Sequence, residues 1–283
     1  MRQPTAAPIS SKTVIAGGSG AGGRGALKAC GPARPSLSET LMPRPGARAE
    51  QQIATFTEEV CAALGEELVC LALHGSAAGD EWVAGRSDIN TAVVVPRVTF
   101  AVLERLAPLV ARWRQRGFAL PVVMDYEYLR RARDAFPMEL DDIRRQHRLL
   151  AGADLFADLA VDPAALHREC EREARGKLLR LRALFLETGR KPAALEQLMV
   201  ESAKSFIVVL RHLLRLRHAD GGYGYAAVLA AGEGIVGPLP TIRKLLLHRA
   251  GEARLSPAAL RTEFSAYLGE VERIVEAVDA LDA

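Results

Sequence analysis

Two small groups of residues carry types and spacing that chemistry can use: Gly75-Ser76, and then Ser87-Asp88-Ile89-Asn90. Glycine has no side chain, so at the end of an apolar run it lets backbone amides approach an anion where a helix starts. Gly75 and Ser76 are therefore candidate phosphate contacts. Asp88 stands at the start of a second apolar run, 89–95. Alternate residues of a strand share a face, so side chains 88 and 90 are expected to project together. An aspartate beside an asparagine offers a carboxylate and an amide oxygen to a hard cation, with Asp88 the charged ligand. Arg86, in the preceding loop, has the bidentate guanidinium that suits a polyphosphate, and equally the position of a solvated loop charge. His74, just before Gly75, reads either as a phosphate contact or as a hydrogen-bonded core histidine.

Two strands and a turn must hold these groups. The stretch 68–96 supplies them as strand, glycine turn, short helix, polar loop and strand. Before it, Ile53, Phe56, Val60 and Leu64 recur at helical spacing, so 49–64 is expected to be a helix packed on the sheet. After it, 100–116 reads as a second helix closed by Gly117, and 118–124 as a third strand.

Gly75-Ser76 followed by Asp88-Ile89-Asn90 resembles the signature of the nucleotidyltransferase superfamily, the fold shared by polymerase beta and the aminoglycoside nucleotidyltransferases. That signature is Gly-Ser, roughly ten residues, then Asp-apolar-Asp. The resemblance implies transfer of a nucleoside monophosphate from ATP or another nucleoside triphosphate to an acceptor, with magnesium (Mg2+) held by paired carboxylates. It places Asp88 and Asn90 in the catalytic positions, Asp88 on the metal, and Gly75, Ser76, Arg86 and Ser87 around the nucleotide. Asn90 departs from the pattern, because an amide oxygen supplies none of the charge that holds and aligns the ion. The third carboxylate of the family falls near Val122. Asp125, Glu127 and Glu139 are the nearest substitutes, and each is also placed to cap a helix or face solvent.

Composition bounds the rest. A chain of 283 residues with 49% hydrophobic content can bury a sizeable core and has room for two domains. No apolar run approaches the roughly 20 residues of a membrane span. A net charge of +3 and 5% aromatic residues give no support to a nucleic-acid surface. Only six of the 37 basic residues are lysine, which reads as genome composition rather than function. Cys30, Cys61, Cys70 and Cys170 have no paired metal-ligand spacing, and two of them sit among apolar neighbours, so a reducing cytoplasm is the expected home. Residues 1–48 are rich in Gly, Ser, Pro, Ala and Arg without an apolar period and are expected to be a disordered tail, with Met42 an alternative start.

Asp162-Pro163 marks a boundary, with the aspartate a helix cap and the proline at the first helical position. A long helix over 165–187 is laced by charge pairs four residues apart, a helix over 192–217 is apolar nearly all round between Phe206 and Leu216, and shorter helices follow around 225–231 and 241–248. Residues 221–224, Gly-Gly-Tyr-Gly, read as an interhelix loop, and Pro257 opens a last helix through 281. Arg243 to His248 and Arg211 to His218 have the spacing of HEPN-type nuclease sites, which chance supplies in so arginine-rich a chain. The expected fold class is α+β, a nucleotidyltransferase-type mixed sheet with flanking helices followed by an all-α antiparallel helical bundle. Its expected parts are the tail to residue 48, a nucleotidyltransferase-like domain over 49–161 and a bundle domain over 162–283.

Two functions of different class fit these observations. One is a magnesium-dependent transferase acting on a small-molecule or protein acceptor. The other is a catalytically inactive nucleotide-binding or protein-interaction module of the same fold.

Overall fold

A computed structural model describes residues 46–79, 82, 87–131, 134–188, 191–219 and 221–281. The tail, apart from its last three residues, and Arg86 lie outside the described residues. Helix α1 (Ala47–Leu64) starts two residues ahead of its apolar period, because the N–H groups of Ala49 and Glu50 already bond to Gly46 O. Its buried stripe is Ile53, Phe56, Val60 and Leu64.

Strands β1 (Cys70–His74) and β2 (Asn90–Val95) pair antiparallel at the centre of a four-stranded sheet. They are buried on both faces, which is why they read as continuous apolar runs. From β2 the chain crosses through α2 (Phe100–Arg114) to β3 (Val122–Asp125), which lies parallel to β2. The third strand is shorter than the sequence implies: Pro121 has no N–H for a ladder, and Phe118 makes only a single bridge to Ile89. Helices α3 (Tyr126–Arg131) and α4 (Pro137–Arg145) follow. Strand β4 (His147–Gly152) then pairs antiparallel with β1 to give the order β3-β2-β1-β4. Strand β4 has no counterpart among the strands expected from the sequence. At its end Gly152 has φ +82°, and a Cβ there would lie 2.1 Å from Val69 O, so only glycine fits.

One face of the sheet, through Leu71, Leu73, Val93 and Val95, packs under α1 and α2 around Phe56, Trp113 and Phe118. The other face, through Cys70, Ala72, Ala92, Val94 and Met124, packs against Leu129 of α3, Leu140 and Ile143 of α4, and Phe156. A separate apolar cluster fills the helices α5 (Pro163–Thr188), α6 (Pro192–Leu216), α7 (Tyr225–Val236), α8 (Pro240–Ala250) and α9 (Leu260–Asp279). Asp162 Oδ1 accepts from Ala164 N at the start of α5, and α5 carries the Glu171–Arg175 and Glu173–Lys177 pairs. Helix α9 begins at Leu260 rather than Pro257, because residues 257–259 form a turn. Cys70 and Cys170 are buried free thiols, which burial pushes up to about 11 and 12 respectively. Among the described residues no helix is long and apolar enough to cross a membrane. The fold class is α+β, a mixed sheet with flanking helices followed by a helical bundle.

Candidate functional site

Strand β1 ends at His74, and Gly75 turns the chain with φ +69° into a 3-10 turn over Gly75–Ala78. Across the ladder His74 pairs with Asn90 on one side and His147 on the other. Cross-strand partners share a face, so the row His147, His74, Asn90 looks toward α4 rather than toward α1 and α2. The turn and Asn90 are close: a Cβ on Gly75 would lie 3.1 Å from Asn90 Nδ2. Gly75, Ser76 and Asn90 are thus brought together. Ser87 is half-buried ahead of β2. Asp88 is exposed and stands just ahead of β2, next to Ile89, which bridges Phe118. Arg86 cannot be placed, lying outside the described residues.

The face that Asn90 looks across is occupied by a polar cluster that joins the sheet layer to the bundle. Arg215 Nη1 donates to Asp141 Oδ2 at 2.8 Å and to Asp142 Oδ1 at 2.6 Å. Arg211 Nη1 lies 3.5 Å from Asp142 Oδ2, and His212 Nε2 lies 3.5 Å from Asp142 Oδ1. Arg144 and Arg145 also bind Asp141, whose side chain is 2% exposed. Burial raises both carboxyls, but the hydrogen bonds and charges of these cations outweigh it and hold Asp141 and Asp142 below the usual carboxylate range. Burial pushes His74 down to about 4, with His147 adding to the fall and Asp142 opposing it. Its Nε2 is buried and has no partner among the described residues, so the hydrogen-bonded core reading does not hold for that nitrogen. Nδ1 of His147 lies 2.9 Å from Ile143 O and Nε2 lies 3.0 Å from the Asp154 carboxylate.

The loop at 221–224 reaches the same cluster. Arg211 Nη2 donates to Tyr223 O, and its guanidinium lies 3.8 Å from the centre of the tyrosine ring. None of these groups was gathered by motif spacing. A signal was present: Arg211, His212 and Arg215 interrupt the otherwise apolar stretch 206–216 of α6, and buried charges require partners.

A magnesium ion held by paired carboxylates does not fit this donor set. Position 90 is an amide, and Val122, which pairs with Ala92 and so shares the Asn90 face, is aliphatic. Asp125 pairs with Val95 at the far end of β2, about 16 Å from Asn90 at ~3.3 Å per residue, and accepts from Tyr128 N as a cap on α3. Glu127 is paired with Arg130 and Arg131, and Glu139 faces solvent. Asp141 and Asp142 are neutralised by arginines, and among the described residues no three His, Cys, Asp or Glu side chains are grouped to hold a metal. The Arg243 to His248 spacing is taken up by structural contacts. Arg243 binds Glu233, and His248 binds Glu196 and faces Ala253 O.

No family model matches the sequence, and no curated protein matches it. Among solved structures, the chain is similar to spectinomycin adenyltransferase AAD(9) from Enterococcus faecialis with ATP and spectinomycin. The TM-score is 0.50 at 11% identity, over 81% of this chain and 99% of that one. The fold is nucleotidyltransferase-like. At this identity the nucleotidyltransferase-like fold fixes the arrangement of elements and leaves the roles of individual side chains to their own geometry.

Proposed function

We propose that this nucleotidyltransferase-like chain binds a nucleoside triphosphate at Gly75-Ser76 and has lost most of the transfer chemistry. Residues 49–161 would form the nucleotide-binding domain, and residues 162–283 a helical domain closing over it. Phosphate oxygens would meet the backbone N–H groups of the turn and the hydroxyls of Ser76 and Ser87, with Arg86 a further contact. The observation that carries the reading is the face around Asn90. It holds an amide, a neutral imidazole and two aspartates already engaged by arginines, where transfer would need free carboxylates. Binding survives such a change, because backbone amides and guanidiniums attract phosphate without a metal. That the structural neighbour was solved with ATP supports the choice of nucleotide.

The transferase reading retains one observation in its favour, the proximity of the Gly75-Ser76 turn to Asn90. Titration of ATP by calorimetry, with EDTA and then with excess magnesium, separates the two. The expected result is weak binding with the same Kd in both buffers, and no labelled product from ATP carrying a tagged α-phosphate. Asn90→Asp should make the affinity magnesium-dependent. Magnesium-dependent binding by the unaltered chain would return the transferase reading, and absence of ATP binding in either buffer would remove both.

A further inference from the structure

Helix α5 has two apolar faces, and the described residues pack against one. Leu166, Cys170, Ala174, Leu178 and Leu181 are buried against the bundle. On the outward side Gly176, Leu179, Ala183 and Leu186 follow at intervals of three, four and three residues, the spacing of a coiled-coil seam. All four are exposed, Leu179 at 65% and Leu186 at 86%. Gly176 supplies a separate observation. Glycine inside a helix is less favourable than alanine, yet among the described residues a Cβ at 176 would meet nothing within 4 Å, so packing among them gives no reason for it. A second helix laid along the seam does, since the distance between packed helices is set by the side chains at the contact.

Charge decides what that helix is. Arg168, Arg172, Arg175, Arg180 and Arg182 are exposed along this side of α5. Arg172, Arg175 and Arg182 are committed to Glu169, Asp279 and Glu272. Glu169, Glu171 and Glu173 of the same helix are taken up by Arg172, Arg175 and Lys177, whereas Arg168 and Arg180 form no ion pair among the described residues; Glu187 at the C-terminal end is exposed. A second copy running antiparallel would set Leu186 over Gly176 and Leu179 over Ala183, but would bring Arg180 against Arg180 and Arg182 against Arg182. Residues 1–45, with six basic side chains and one acidic, have the wrong sign as well. We propose that the outer face of α5 docks an amphipathic helix of another protein, with leucine-sized residues in the seam and carboxylates on its flanks.

The test uses the full chain and two synthetic helical peptides that share a leucine seam, one with glutamate and one with lysine at the flanking positions. Fluorescence anisotropy should show the glutamate peptide binding at least about tenfold more tightly, an advantage that added salt removes. Leu179→Ser with Leu186→Ser should abolish binding without lowering Tm, because neither side chain is buried. Gly176→Leu should weaken the peptide about tenfold while Tm holds or rises. Equal affinity for the two peptides, or binding unmoved by the leucine changes, overturns the proposal. So does sedimentation showing a dimer of the chain alone that Leu186→Ser dissolves, which would make a second copy the occupant.

Discussion

Gly75 carries two separate constraints, and substitution can separate them. Its φ of +69° lies where a Cβ meets its own backbone, and an added Cβ would also crowd Asn90 Nδ2 at 3.1 Å. Gly75→Ala is expected to destabilise by about 1–2 kcal/mol. The Asn90→Ala background should return only a small part of that, because it relieves the contact and leaves the backbone term. Urea unfolding of the two single variants and the double variant reads this as a cycle; full recovery in the double variant would show that the turn is not strained. At the same scale, Asn90 accounts for what motif reading achieved. The Gly75-Ser76 turn and Asn90 stood out in the sequence because each changes what its position can do, and the structure sets that turn beside Asn90.

Between elements, the strongest tie from sheet layer to bundle is Arg215 of α6 on Asp141 and Asp142 of α4, with the arginine side chain 8% exposed. Arg215→Ala removes the one cation that joins both carboxylates, but leaves Asp141 with Arg144 and Arg145 and Asp142 with Arg211 and His212, so it should cost about 1–3 kcal/mol. Chemical denaturation measures it, and a loss below about 1 kcal/mol would mean that water already screens the pair. A second tie is Glu270 of α9, 3% exposed, which accepts from Thr241 N and Ile242 N at the start of α8. Glu270→Ala should cost about 2–3 kcal/mol by orphaning two buried N–H groups, and Glu270→Gln less, since one acceptor oxygen remains. The periodic helices were legible because their apolar stripes and flanking prolines are local signals, as Ile53 to Leu64 and the prolines that open α5 and α6 show. Strand β4 was not, for it has no alternation, follows α4 without a turn signal and owes its pairing to β1, a contact far away in sequence. The polar cluster was hidden for the same reason: Asp142 and Arg215 lie 73 residues apart, and only packing puts them together.

For the molecule as a whole, pH tests whether the junction is built as described. His74 is held neutral by burial, with its titration pushed down to about 4 from an ordinary 6.5. The unfolded chain takes up a proton at His74 as pH falls through about 6.5, and the folded chain does not until about 4. Protons therefore favour unfolding throughout that window, and the stability lost across it approaches about 3 kcal/mol. Below it the sign is the same but the groups differ. Asp141, Asp142 and Asp154 are held low by their cations and backbone donors, so their contribution is present above the ordinary carboxylate range and disappears as pH falls through their depressed values. Two stages of acid destabilisation should result. His74→Phe fills the site with an apolar ring and should flatten the first stage, between pH 6.5 and 4, while leaving the second. Asp142→Asn should reduce the second stage. It also removes the negative charge that favours the His74 imidazolium, so the His74 titration should move lower still, as its imidazole proton shifts would record in an NMR titration. If stability between pH 6.5 and 4 is the same in the His74→Phe variant as in the unaltered chain, His74 is solvated in the folded protein and the closed junction between β1, α4 and α6 is wrong.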